Sequence, residues 1–136
     1  MKPRILVADD DSDLRRVVRG ILEPLGHVLE ARDGAEALRL FRVEKPVVML
    51  LDIVMPEMSG IEVLQTAREL APTLPVLMLT GEADLAMARL ALEHGARAYI
   101  TKPFDPQVLH DEVRRLVEGA DGGEKTPSGR PWRVRR

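Results

Sequence analysis

The sequence predicts one doubly wound α/β domain, a five-stranded parallel sheet with five helices shared between its two faces, and three observations lead there. Residues 5–8 (ILVA), 47–51 (VVMLL), 76–79 (VLML) and 98–100 (AYI) are short runs that are apolar at every position. Strands of that kind are covered on both faces, which is the environment of a parallel sheet. Between them lie segments whose apolar residues recur at helical spacing. Strand alternating with helix, joined by right-handed crossovers, gives a doubly wound layer sandwich, and 136 residues fit a single domain of that type.

In chain order, residues 5–8 form the first strand. Leu14, Val17, Val18, Ile21, Leu22 and Leu25 then fall on one helical face, with Ser12 as the expected N-cap. The run HVLEA at 27–31 is more polar than the other strands and fits a sheet edge. Ala37, Leu38 and Phe41 mark the second helix; Ile61, Leu64, Ala67 and Ala71 mark the third. Leu109, Val113, Leu116 and Val117 mark the fifth. Gly26, Pro46, Pro72, Pro75 and Gly95 punctuate the joins. The fourth helix, expected over 83–92, is apolar at eight of its ten positions, only Asp84 and Arg89 interrupting. Four of the eight are alanines, strong helix formers that need no partner, while Leu85, Met87 and Leu90 include candidates for a surface left open to another molecule.

Composition narrows the chemistry. With no Cys there is no disulfide framework, thiolate zinc site or cysteine nucleophile, and three His do not suggest a histidine-rich metal site. A metal would sit on oxygen ligands. No apolar run reaches membrane-spanning length and no secretory signal is visible, so a cytoplasmic location and no membrane partner are expected. Residues 1–119 carry fifteen Lys and Arg against twenty Asp and Glu, whereas 120–136 carry five against two. An acidic body does not suit a nucleic-acid binder. The Gly-, Pro- and Arg-rich segment 120–136, containing Trp132, reads as a basic flexible tail or linker stub after a domain spanning 1–119.

In an open parallel sheet, ligands bind beyond the carboxyl ends of the strands, where strand order reverses. The polar residues collect there. The first strand runs into Asp9, Asp10 and Asp11, the third ends at Asp52, the fourth at Thr80, and Lys102 follows shortly after the fifth. Two like charges about 4 Å apart repel by roughly 4 kcal/mol at an effective dielectric near 20, so the acids call for cations. Mg²⁺ suits a site that offers a few carboxylates plus phosphate oxygens and water. Lys102 adds a further positive charge. The set therefore fits a pocket for Mg²⁺ and a phosphoryl group, with Asp52 as nucleophile and Thr80 placed to hydrogen-bond a phosphoryl oxygen.

These residues stand in the segments ILVADDD, LLDIVMPEMSG, MLTGE and AYITKPF, in an order and spacing that resemble the receiver domains of two-component response regulators over residues 4 to about 118. The resemblance implies a flavodoxin-like strand order 2-1-3-4-5. It implies Asp52 as phosphoacceptor, Asp9, Asp10, Asp52 and the Val54 carbonyl around Mg²⁺, Lys102 as phosphoryl partner, Thr80 and Tyr99 as a switch pair, and a cis bond before Pro103. The expected function is that of a phosphorylation-activated receiver rather than an enzyme acting on other substrates. Its phosphoryl donor would be a sensor histidine kinase or histidine phosphotransfer protein. Its output would pass through the face of the fourth helix, fifth strand and fifth helix, to a partner protein, an output domain, or a second copy on phosphorylation. Val54 and Glu82 occupy variable positions flanking the site, and Asp11 extends the acidic pair to a triplet.

Three competitors fit less well. A flavodoxin-like cofactor binder would want a Gly- or Ser/Thr-rich phosphate loop where this chain has three Asp. An Asp-nucleophile phosphatase would need its nucleophile at the first strand and a cap domain. A degenerate receiver, serving as a phosphorylation-independent interaction module, would keep the pocket without using it.

Overall fold

The aliphatic runs do form the sheet. In this computed structural model, which describes residues 2–119, the elements are β1 (Arg4–Ala8), α1 (Ser12–Leu22), β2 (His27–Ala31), α2 (Gly34–Glu44), β3 (Val48–Asp52) and α3 (Gly60–Leu70), followed by β4 (Val76–Gly81), a 3-10 turn (Glu82–Asp84), α4 (Leu85–Glu93), β5 (Ala98–Lys102) and α5 (Pro106–Gly119). All neighbours are parallel and the order is β2-β1-β3-β4-β5. Strand β2 lies at an edge, as its polarity suggests. The tail expected over 120–136, with Trp132, lies outside the described residues.

Alternate residues of each strand feed opposite faces, so one strand serves two cores. Leu6, Met49, Leu51 and Met78 are fully buried on one face, with Leu64, Ala67, Ala88 and Ala91 of α3 and α4. Ile5, Leu50, Leu77, Leu79 and Ile100 are fully buried on the other, with Val18 and Leu22 of α1 and Leu109 and Val113 of α5. Burying each of these Leu, Ile, Val and Met side chains is worth about 1.5–3 kcal/mol. This two-sided packing fixes the strands and hence the edge from which the functional side chains project.

Three local expectations are corrected. Ser12 is not the N-cap of α1 but its first residue; Asp11 caps it, extended at φ -86° and ψ 108°, its Oδ1 accepting from the amides of Asp13 at 3.0 Å and Leu14 at 3.2 Å. A carboxylate is the better acceptor and also meets the positive end of the helix. The third acid is thus committed to the fold. Val17 is 53% exposed, since Val18 and Leu22 already fill the strip between helix and sheet. The fourth helical segment divides, because residues 82–84 tighten into a 3-10 turn before α4 begins at Leu85. Leu85 packs against the core, whereas Met87 and Leu90 are 40% and 37% exposed, so part of that apolar surface is open. From the capping geometry, Asp11→Ala is expected to cost about 1 kcal/mol and to lower Tm by a few degrees in a thermal melt. Ser12→Ala should stay within about 0.5 kcal/mol.

Candidate functional site

The chain leaves β1 toward β2 on one side and returns past it to β3 on the other, so the crevice at the carboxyl ends of β1 and β3 is the switch point of the sheet. Asp9 directly follows β1, and Asp52 is the last residue of β3. Both are buried, at 1% and 7% exposure, while Asp10 is open to solvent. One carboxylate oxygen from each of Asp9, Asp10 and Asp52 lies within 4.8 Å of the other two. An all-oxygen donor set of that size fits a hard divalent cation.

Lys102 reaches the same place from the far edge of the sheet. It closes β5 rather than following it, paired in register with Gly81, and its bond to Pro103 is cis. The ammonium donates to Asp9 Oδ2 at 2.9 Å and sits 3.5 Å from Asp52 Oδ1. Burial alone would lower its pKa, but the hydrogen bond and charge of Asp9, then those of Asp52, outweigh burial and hold it above the usual lysine value. For Asp52 the balance runs the other way. Burial first and the Asp9 charge second raise its pKa from the ordinary 3.8 to about 6, against the lowering effects of Lys102 and of the Val54 amide. One ammonium shared by two buried carboxylates leaves the pocket short of positive charge.

The second layer orients these groups. Asp9 Oδ1 accepts the Asp11 amide at 2.9 Å, so its two oxygens are held by backbone and by lysine. The Val54 amide donates to Asp52 Oδ1 at 3.3 Å, while the Val54 side chain is 57% exposed. Arg15 spans the rim, Nη1 donating to the Asp9 carbonyl at 2.7 Å and Nε to Glu30 at 3.1 Å. Gly60 opens α3 hard against β3; its amide donates to the Ile53 carbonyl at 2.8 Å, and a Cβ there would run into the Asp52 backbone carbonyl. Neither Arg15 nor Gly60 has a role that sequence reading assigned. The tight approach at Gly60 has a trace only in the Ser-Gly start of a helix, and the Arg15 contact has none.

Thr80 is fully buried, and its hydroxyl donates to the Gly81 carbonyl at 3.0 Å. Tyr99 is 6% exposed and belongs to the same core cluster as Ala88 and Ala91 of α4. The side chain lies inside the domain in this structure. Glu82 is exposed in the 3-10 turn. The structure thus brings Asp9, Asp10, Asp52 and Lys102 into one pocket, with Val54 bonded to it through its amide.

The family model for the response regulator receiver domain matches residues 5–114. The chain belongs to this family. Members are signalling modules of two-component systems rather than classical enzymes. Among relatives of this receiver, a chemotaxis protein CheY homolog from Campylobacter jejuni is 39% identical over 126 residues, covering 89% of this chain and 96% of that one. A probable transcriptional regulator ycf27 from Cyanophora paradoxa is 39% identical over 85% of this chain, but only 48% of its own length is covered. The receiver spans between 46% and 51% of the ycf27 and PhoP relatives that it matches. Among solved structures, a CheY-like receiver domain protein from Methanospirillum hungatei superposes with a TM-score of 0.84 at 32% identity, covering 91% of this chain and all of that one. A receiver domain protein from Clostridium thermocellum gives 0.83 at 32% identity over 88% of this chain and 97% of that one. Among the described residues, no helix is long and apolar enough to cross a membrane.

Proposed function

We propose that this receiver accepts a phosphoryl group on Asp52 from a phosphohistidine of a sensor histidine kinase or histidine phosphotransfer protein, in a cytoplasmic two-component pathway. The observation that carries the reading is the single pocket in which Lys102 lies 2.9 Å from Asp9 and 3.5 Å from Asp52, beside carboxylate oxygens spaced for a divalent cation. The division into a receiver at 1–119 and a basic tail at 120–136 belongs to the same proposal.

Asp52 Oδ1 takes both the Val54 amide and the Lys102 contact, so we assign Oδ2 as the nucleophile. It attacks phosphorus as the P–N bond breaks; the electron pair leaves with the histidine nitrogen, which takes up a proton. Asp9, Asp10, Asp52 and the Val54 carbonyl would hold Mg²⁺, which supplies two positive charges to neutralise the acids and the incoming oxygens. Relieved of that task, Lys102 can turn from Asp9 to a phosphoryl oxygen. The Thr80 hydroxyl, now spent on the Gly81 carbonyl, can do the same. Breaking that bond frees Gly81 and the turn at Glu82–Asp84 that carries α4. The readout is a population shift of the face formed by α4, β5 with Tyr99, and α5, toward a partner protein, an output domain or a second copy. Hydrolysis of the acyl phosphate by the domain itself resets it.

Acetyl phosphate tests the reading. With Mg²⁺ present, intact mass is expected to rise by one phosphoryl group, chelator to abolish the gain, and Asp52→Asn to show none. Normal labelling of the Asn variant would overturn Asp52 as acceptor. No labelling of the wild type would favour the interaction-module alternative.

A further inference from the structure

At the opposite edge of the sheet, the C-terminal ends of α2 and α3 line an open groove of about 380 Å³. Its floor is apolar: Phe41 and Pro46 on one side, Leu70 and Leu74 on the other. Leu70 is 59% exposed there, although α3 has buried Ala67 and Leu64 about one and two turns earlier. Arg42 and Lys45 stand on the rim, both exposed. Among the described residues neither has an acidic partner, whereas the neighbouring Glu44 is paired with Arg4. The Lys45 backbone is the left-handed C-cap of α2 at φ 49°, its amide donating to the Phe41 carbonyl.

An apolar trough beneath two uncommitted cations selects its occupant by charge. We propose that this groove is a docking site for a short acidic segment of a partner protein, one that sets a large apolar side chain on Phe41, Leu70 and Leu74 and flanks it with carboxylates facing Arg42 and Lys45. The basic segment 120–136 would bring like charge to that rim and does not fit it. Lys45 and Pro46 precede β3 and Leu74 precedes β4, so the groove lies a full strand length from Asp52. It is a second contact surface, independent of the acid pocket and of the α4–β5–α5 face, and suited to hold a partner in both phosphorylation states.

The test is amide NMR on the full chain with three probe peptides: acetyl-Glu-Glu-Leu-Phe-Glu-Glu-amide, its Lys-for-Glu analogue, and the tail sequence GRPWRVRR. The acidic peptide is expected to shift Lys45, Leu70, Ala71 and Leu74, with the residues around Asp52 unmoved. Arg42→Glu combined with Lys45→Glu should weaken that binding about tenfold or more, and both positions are exposed, so the fold is kept. Leu70→Asp should weaken it independently. Silence at these amides with millimolar acidic peptide would overturn the proposal. So would equal shifts with the Lys analogue, displacement by the tail peptide, or shifts of the same amides on dilution without peptide, which would assign the groove to the tail or to a second copy.

Discussion

Replacing Asp52 with Asn is expected to stabilise the domain, and by an amount that grows with pH. Burial and the Asp9 charge raise the Asp52 pKa from 3.8 to about 6 in the folded protein. The folded state therefore holds this proton more tightly than the unfolded state does, and an acid in that position costs stability as it ionises. Well below pH 3.8 both states are protonated and nothing is lost. As pH rises through 6 the folded state is driven to ionise inside the pocket, and above that the full cost applies. A rise from 3.8 to about 6 corresponds to about 3 kcal/mol, an upper figure because the pocket can relax. Asn keeps the shape of the protonated acid and can still accept the Val54 amide. Melts of both proteins without metal should converge toward pH 3 and separate by about 1–3 kcal/mol at pH 8, the variant melting several degrees higher. A variant less stable than wild type at pH 8 would show that the Lys102 contact outweighs burial.

The same cost explains what the charge is for. A carboxylate held against its own solvation preference costs stability, so on the proposed reading a divalent cation bound at these acids would raise Tm by mass action. Acetyl phosphate labelling at low metal should fall below about pH 6, since only the ionised acid attacks.

Much of this could be read from the chain because parallel strands declare themselves. Residues 47–51 are apolar at every position, which fits a strand buried on both faces, and the strand ends then place Asp9, Asp52, Thr80 and Lys102 on one edge without any knowledge of packing. Competition among neighbours was harder to read. Asp11 and Ser12 are both good caps, and the outcome turned on which residue is extended. Val17 and Val18 share one helical period, but the strip between helix and sheet has room for one. Contacts between distant segments were not legible at all. Arg15 meets the Asp9 carbonyl only once β1 and α1 are packed, and the groove exists only because α2 and α3 end side by side. Charge told the location of the pocket, whereas the closeness of Lys102 to two acids at once is a property of the folded edge.

Lys102→Met should have the opposite effect to Asp52→Asn. Met preserves the stem and its packing but leaves Asp9, at 1% exposure, and Asp52 facing each other with no ammonium between them. Removing one partner of a buried pair costs about 3–5 kcal/mol; with the lysine side chain 27% exposed, solvent screening brings the expectation to about 2 kcal/mol. The pH window follows from the signs. The Lys102 pKa is raised above 10.5, so its stabilising charge is fully present through the neutral range and is lost only on passing above that value. Losing it also lifts a lowering influence from Asp52, whose pKa should then move above 6. The variant should therefore be weakest at pH 8, recover as pH falls toward 5, and regain part of the loss with millimolar Mg²⁺. Combining it with Asp52→Asn should restore stability at pH 8, since only one buried acid then remains. Phosphoryl uptake should stay at least about a hundredfold slow even with saturating Mg²⁺, because a charge aimed at the transferring oxygens has gone. A variant that melts and labels like wild type would make Lys102 a surface residue and leave the acids to the metal alone.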